Sequence, residues 1–487
     1  MPTAVVAGGS VAGLAGALAL SGVGYRVLVV ERAPKPPRWP VGEAVSRWKR
    51  THVPQGLHSH TLTSLGVRVL RERAPQVLAA ARVAGALTLD LTAALPADAT
   101  DGAPEPGDDE LVGLGCRRST LELILHQVVS DLPGVTIWHG ATVDGIETDP
   151  SMRRVHAVRV SGGSRIPADI VVDATGRRAL SRSWLRDAGV PVAPDRTSPA
   201  GLSGYSRFYR LEGDTLPGPL TRGNSVGDIY SHYASVLHPA DDGTFSVTLA
   251  RLPGDRALTG LRTAAGFTAA ARATPGLAAW LADGVSEPIS PVRSITSPPN
   301  TLSGTAAAGP RPLAGVFPLG DAACITNPLF GRGMSLALEH AFRLADLLVE
   351  HPDVDVAQRE AVARMTAELF TPWYEQAAAS DQLRIARWRA AVEGVPAPAP
   401  PARTPDGPPG FDEVAAAARV DGTVWRGLTR VLMTLRTPAE VFGDGAFVDR
   451  VRRAAAEARA RGGETRKDEL SRDALVREVA AAEGALV

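Results

Sequence analysis

Cysteine is almost missing from this 487-residue chain, which has only Cys116 and Cys324. Two thiols cannot build a disulfide framework or a cysteine zinc site, and their scarcity fits a reducing compartment, so a cytoplasmic protein is expected. Lysine is nearly as rare. Lys35, Lys49 and Lys467 are the only three, and arginine carries the rest of the positive charge, a habit of GC-rich coding sequence with no functional meaning. Net charge is lacking too: 52 basic residues balance 52 acidic ones. The chain therefore gives no electrostatic reason to expect nucleic acid or an anionic membrane surface as partner. A long unbroken apolar run is also missing. The most apolar stretch, residues 4 to 30, has no basic leader and is interrupted by glycines and by Tyr25-Arg26, which excludes a signal peptide and a membrane span.

What is present is length and pattern. A chain of this size splits into two or three lobes. Residues 3–8 (TAVVAG) form a short β-branched run, followed by a Gly/Ser turn, an Ala/Leu-rich helix to about residue 21, and a second strand, YRVLVVE, ending at Glu31. Helical text runs from residue 60 to about 81 and again over 116–132, where Ser119 or Thr120 is positioned to cap the start. Strand-like pieces follow (VTIWHG, ATVDGIET, VHAVRV, DIVVDATG), with SGGS as a hairpin turn. Residues 200–295 carry further strands (SRFYRLEG, DIYSHYASVLH, TFSVTLARL) and a helix, GFTAAARATPGLAAWLA. A long helix is expected from about Met334 to Glu350, then helices to Val392, an exposed Pro-rich stretch at 395–410, and amphipathic helices with a charged end.

The sharpest motif is Gly8-Gly9-Ser10-Val11-Ala12-Gly13, lying between a strand and a helix, with Glu31 closing the next strand. Gly8 permits the tight turn, Ser10 is small enough for the backbone to approach a pyrophosphate, and Gly13 lets helix and strand pack closely. Phosphates would face the free N–H groups at the helix start, and Glu31 would accept from ribose hydroxyls. An Ala/Gly-rich core turn is the bland alternative. Far along the chain, Gly320-Asp321 follows a strand, and the segment from Asn327 to Met334 (NPLFGRGM) opens a helix. A second helix start with two glycines offers donors to negative charge developing at the N1/O2 edge of a reduced flavin. That pairing favours FAD over NAD; a surface turn with a helix cap is the competing reading.

In order, GGSVAG, Glu31, Arg118, VVDATGR (171–177), PLGDAA and NPLFGRGMS resemble the FAD-dependent monooxygenases with the p-hydroxybenzoate hydroxylase fold. More narrowly, VPQGLHSH (53–60), RSTLE (118–122), YSRFYR (205–210) and PWYEQAAASD (372–381) look like the branch containing polyene epoxidases of polyether biosynthesis. The resemblance covers most of residues 1–390. It implies an α/β fold with a Rossmann-type FAD-binding domain of the glutathione reductase/p-hydroxybenzoate hydroxylase kind, discontinuous over 1–195 and 296–350. A mixed-sheet substrate domain would occupy 196–295, and C-terminal helices with a Pro-rich linker 351–487.

The resemblance also implies roles for individual residues. Arg50 and Arg118 would hold the phosphate and ribityl part of FAD, the backbone near Val143 would touch adenine, and Asp321 would bind the ribityl-phosphate region. Gly331, Arg332, Gly333 and Met334 would line the isoalloxazine, with Gln55 and His58 near it; Arg32 follows Glu31 at the nucleotide end. Candidate pocket residues are Tyr205, Arg207, Tyr209, Pro328 and Phe330, although for the first three an ordinary sheet role competes. His58 and His60 lack further ligands, so no metal is expected. The implied activity is oxygen transfer from a flavin C4a-hydroperoxide to an alkene or electron-rich ring of a small hydrophobic molecule, by epoxidation or hydroxylation in antibiotic or other secondary metabolism. No protein acid or base is compulsory. Electrons would come from NAD(P)H directly or through a partner flavin reductase, and O2 is the co-substrate. A flavin-dependent halogenase is disfavoured by the lysine gap between Lys49 and Lys467 and the absence of a Trp-x-Trp-x-Ile-Pro segment. A prenyl-chain reductase and a non-catalytic flavin redox sensor are further alternatives.

Overall fold

A computed structural model describes residues 1–37, 40–48, 50–51, 53–149, 151, 153–307, 309, 313–399, 407–460 and 469–484. Its first layer is a five-stranded sheet in which Thr3–Ala7 lies central, flanked by Arg26–Glu31 and then Val135–His139 on one side and by Ile170–Asp173 and then Val316–Pro318 on the other. All four pairings are parallel. A parallel sheet is covered on both faces, which explains why residues 4–7 and 170–172 of these strands are apolar without alternation and wholly buried. The helix Val11–Gly22 follows suit: it has no charged stripe and packs between this sheet and the helix Gly333–Glu350.

Against the sheet lies a three-stranded antiparallel meander, Val143–Thr148, Val155–Val160 and Ser164–Pro167. Its second turn is the predicted SGGS, where Gly162 and Gly163 take φ of 86° and 85°, a conformation that suits glycine and matches strand twist. A second sheet runs Ala234–Pro239, Thr244–Arg251, Ser203–Leu211, Ser286–Pro288, with Arg293–Thr296 also on Ser203–Leu211, every pairing antiparallel. One face of it carries Tyr205, Tyr209, Phe245, Val247 and Leu249 into a core closed by the helix Ala264–Ala273 and by Leu475 and Val479 of the helix Arg472–Gly484. The other face is turned toward the nucleotide-type layer.

Several local expectations shift. The helical text of 60–81 is two helices, Ser64–Arg73 and Pro75–Val83, because Pro75 removes a donor and forces Ala74 out of helical geometry. The helix expected over 116–132 begins at Arg118 with Arg117 as its cap, so neither Ser119 nor Thr120 caps it; the Thr120 hydroxyl instead donates to Asp241 Oδ2 at 2.8 Å. The helix predicted over 266–282 stops at Ala273, just before Thr274-Pro275, and resumes as one 3-10 turn, Ala278–Leu281. Residues 228–233 form no strand of their own and pair with the second sheet through the isolated bridge of Ile229 to Ala234. After residue 350 the chain makes one helix of 38 residues, Val356–Glu393, which tolerates Pro372 in its interior. Beyond it come Phe411–Ala417, Gly422–Leu432, Pro438–Phe442 and Gly445–Ala460. Residues 400–406 of the Pro-rich stretch and 461–468 of the charged end lie outside the described residues.

Candidate active site

A cavity of about 2120 Å3 opens where the two sheets face each other. One end of it is built by the first βαβ turn. Gly8 takes φ +106°, and a Cβ there would come within 2.5 Å of the Ala174 carbonyl oxygen; a Cβ on Gly13 would overlap the Gly8 carbonyl. Both glycines are therefore imposed by backbone crossing, and Gly13 supports the turn from behind while Gly8, Ser10, Val11 and Ala12 line the cavity. Ser10 is the helix N-cap but does not cap it with its side chain. Its hydroxyl is held by Arg118 Nη2 (2.8 Å) and donates to Glu122 Oε2 (3.0 Å), so the first-turn N–H groups keep no side-chain acceptor.

Glu31 ends its strand with a carboxylate only 6% exposed. Oε2 accepts from Gly9 N–H at 2.6 Å and Oε1 from Ala33 N–H at 2.8 Å, with Arg50 Nη1 at 3.3 Å. A carboxylate has about four lone-pair sites, so acceptor capacity remains. Arg50 also pairs with Glu122, a residue that sequence reasoning missed: it sits one turn after Arg118, 2% exposed, as the shared counter-ion of both arginines. The i,i+4 spacing from Arg118 in RSTLE was the available clue. Arg32, Val143 and Arg177 line the same end, and the sequence reading gave Arg177 no role.

Midway, Asp321 faces the cavity from the turn after Val316–Pro318. Burial pushes its carboxyl above the usual range, while Arg118 and Arg177 draw it back down. The far end is the start of helix Gly333–Glu350. Gly331 (φ +63°) turns the chain in, and the Ser335 hydroxyl ties Thr63 to the helix start, accepting from its N–H at 3.1 Å and its hydroxyl at 2.7 Å. Arg332 is 2% exposed, with its guanidinium 4.7 Å from the Phe330 ring centroid and 4.6 Å from that of Trp373. Burial pulls its pKa down to about 9, so it stays cationic at neutral pH. Cation–π contact offsets about 2 kcal/mol of its desolvation. Yet Nε and Nη1 are buried with no hydrogen-bond partner among the described residues; Arg50 Nε and Arg118 Nε likewise lack an acceptor within hydrogen-bond reach, and Gln55 Oε1 lacks a donor. These orphaned groups, lying along one cavity between two uncapped helix starts, fit an elongated, oxygen-rich, anionic cofactor such as FAD.

The loop carrying Pro328 and Phe330, both cavity-lining, is fastened from behind. Asn327 Nδ2 and Asn300 Nδ2 each donate to Asp381 at 2.7 Å, Asn327 N–H donates to Asn300 Oδ1 at 2.7 Å, and Arg384 Nη2 donates to Asp381 at 2.9 Å. Asp381 closes the PWYEQAAASD segment, and only the fold shows that it acts on residue 327.

On the side of the second sheet the register of Ser203–Leu211 decides which side chains reach the cavity. Gly204 and Ser206 line the cavity; Tyr205, Arg207 and Tyr209 do not. Strand side chains alternate, so choosing the large residues selected the wrong face. Tyr205 accepts from Arg251 Nη2 at 2.8 Å, Arg207 donates to Ser290 O and Thr268 Oγ1 at 3.1 Å each, and Tyr209 stacks on Phe245. Inside, His58 Nδ1 is 2.9 Å from Ser206 Oγ, which is 2.7 Å from Thr248 Oγ1. Burial, reinforced by Arg177 and Arg293, lowers His58 to about 4; burial and Arg118 lower His60 to about 3; burial lowers His238 to about 4. All three rings are neutral at pH 7. Among the described residues no group of three or more His, Cys, Asp or Glu is placed to hold a metal ion, and no helix is long and apolar enough to cross a membrane.

This geometry defines a class of fold: an α/β protein with a Rossmann-type layer, a second sheet facing it and C-terminal helices. Solved structures share it. PqsL, a probable FAD-dependent monooxygenase from Pseudomonas aeruginosa, superposes with a TM-score of 0.54 at 17% identity, over 81% of this chain and 100% of that one. OxyS, the anhydrotetracycline hydroxylase from Streptomyces rimosus, gives 0.55 at 16% identity over 90% and 76%. PnpA, the p-nitrophenol 4-monooxygenase from Pseudomonas putida DLL-E4, gives 0.55 at 16% over 94% and 98%. The chain thus has the fold that these structures share, the p-hydroxybenzoate hydroxylase-like fold. No protein-family model and no curated protein matches it.

Proposed function

We propose that this protein is an FAD-dependent monooxygenase acting on a small hydrophobic alkene or aromatic molecule, with epoxidation as the favoured outcome and hydroxylation as its alternative. The observation that carries the reading is the single cavity running from the Val11 helix start, past Arg118 and Asp321, to the Gly333 helix start, and on to the inner face of the second sheet. Typical ligand sites occupy about 300–1000 Å3. Twice that space suits a dinucleotide and a substrate together. Residues 1–195 with 296–350 would be the FAD lobe, 196–295 the substrate lobe and 351–487 the helical remainder.

In this reading Arg50 and Arg118 neutralise the pyrophosphate, the first-turn N–H groups of Val11 and Ala12 donate to it, and Glu31 accepts from the ribose. Arg332 and the N–H groups at Gly333 and Met334 stabilise negative charge at the ring edge. When bound and reduced, FAD activates O2 for transfer. The chain's residues hold the substrate on an apolar wall of Leu202, Val236, Ile295 and Leu329 and exclude water. Neutral His58, braced by Ser206, can hydrogen-bond a substrate oxygen without adding charge. Electrons come from NAD(P)H, directly or through a flavin reductase.

The test is product analysis under oxygen-18 gas with chemically reduced FAD and a panel of alkenes and phenols. Label in the product is expected; a saturated or halogenated product would refute the reading. Absence of a flavin band near roughly 450 nm after incubation with FAD would refute the cofactor assignment.

A further inference from the structure

The helices after the Pro-rich stretch are not an appendage, because one of them walls the cavity. In Gly422–Leu432, Trp425, Leu428 and Leu432 recur at i, i+3 and i+7, a single stripe, and all three line the cavity. Val424 and Val431 occupy the neighbouring stripe, about 80° around the helix, and are buried in the main core, against which Trp425 and Leu428 also pack. Trp425 packs beside Leu91 and Met433, and Met433 lies 3.9 Å from Asn224 Nδ2, in the loop leading to the second sheet. The stripe therefore closes the cavity on the side reached through the 91–96 and 221–225 segments.

The wall is fixed in place. Arg426, 1% exposed, grips Asp108 with Nε (2.8 Å) and Nη2 (2.9 Å) and donates to the carbonyls of Asp101 (2.9 Å) and Ala103 (2.6 Å). Thr100 N–H donates to Val420 O (2.8 Å) and Gly422 N–H to Thr100 O (2.7 Å). Arg450 bonds Asp421, the helix N-cap, at 2.7 Å. A bidentate buried guanidinium with further backbone acceptors holds one geometry.

We infer that the Trp425–Leu428–Leu432 stripe is the distal wall of the substrate chamber and sets the length of substrate accepted: an elongated, mainly apolar molecule whose far end rests on this stripe. The inference rests on reading the cavity as a substrate site. With the FAD-loaded protein, a homologous series of 4-n-alkylphenols should bind more tightly by about fourfold per added methylene until the chain meets the stripe. Leu428→Trp should weaken the longest members at least tenfold and leave 4-ethylphenol unchanged. Trp425→Ala should move the plateau to longer chains. Dissociation constants that stay flat with chain length, or variants that shift short and long members equally, would overturn the inference. The same series is run as displacement of 1-anilinonaphthalene-8-sulfonate from flavin-free protein. A length-dependent effect of Leu428→Trp there, in a protein showing no flavin band, keeps the distal wall and rejects only the flavin reading.

Discussion

Replacing Asp381 tests whether the far end of the cavity is organised from the long helix. The carboxylate is 1% exposed and accepts from Asn327, Asn300 and Arg384 at 2.7, 2.7 and 2.9 Å. In Asp381→Ala the Arg384 guanidinium, also buried, loses its counter-ion, and removing one partner of a buried pair costs about 3–5 kcal/mol. Two amide N–H groups lose acceptors as well, at about 1–3 kcal/mol each where nothing replaces them. Arg384 keeps the carbonyls of Ala200 and Gly201, and Asn327 Nδ2 that of Ala200, which puts the expected total at the low end of that sum, about 5 kcal/mol. Asp381→Asn preserves shape and one acceptor and should cost about half as much. Guanidinium unfolding gives the stability change, and FAD titration at 4 °C, where the variant stays folded, gives the functional one. Because Asn327 heads the loop bearing Phe330 and Arg332, FAD affinity should fall along with stability. A loss below about 1 kcal/mol with unchanged FAD affinity would refute the claim that Asp381 fixes this loop.

Three further outcomes follow from the same structure. Gly13→Val should abolish FAD retention because its Cβ overlaps the Gly8 carbonyl, and normal retention on a gel-filtered sample would contradict the pyrophosphate reading. Stability should fall on acidification: His60 and His340 are lowered to about 3 and His238 to about 4, against 6.5 unfolded. The unfolded chain then binds more protons below 6.5, so the contribution is full above that pH and lost as pH falls toward 4, by up to about 1.4 kcal/mol per pH unit for each ring. Unfolding midpoints independent of pH over this window would refute it. Gly204→Ala, whose methyl would meet Ile295 at 3.4 Å on the cavity wall, should change substrate KM, while Arg207→Ala on the opposite face should not; the reverse pattern in steady-state kinetics would overturn the assigned strand faces.

The geometry of the first βαβ turn was legible because it is local. Gly8, Gly13 and Glu31 fall within one βαβ unit, where turn, helix start and strand end are set by near neighbours. The second helix start at Gly333 was legible for the same reason. The substrate side was not. Whether Tyr205 or Ser206 points inward depends on which face of Ser203–Leu211 the helix Ala264–Ala273 covers, and large aromatic residues suit either face. Glu122 and Asp381 were hidden by distance, since their partners Arg50 and Asn327 lie 72 and 54 residues away. The stripe on Gly422–Leu432 was visible as amphipathic, but the surface it would meet was not.

The parallel sheet has a consequence for how the chain comes to be folded. Its edge strand Val316–Pro318 pairs with Ile170–Asp173, which emerges during synthesis more than a hundred residues earlier. Until then the backbone donors and acceptors of Ile170–Asp173 face outward on a strand apolar but for Asp173, the kind of bare edge that recruits other chains. At about 5–20 residues per second this interval lasts roughly 7–30 s. The second sheet, whose strands lie between the two in sequence, has time to form first, while that edge stays open. Expression yield should therefore depend on the order in which these segments leave the ribosome, and a circular permutant that places residues 313–350 ahead of residue 1 should aggregate less during synthesis.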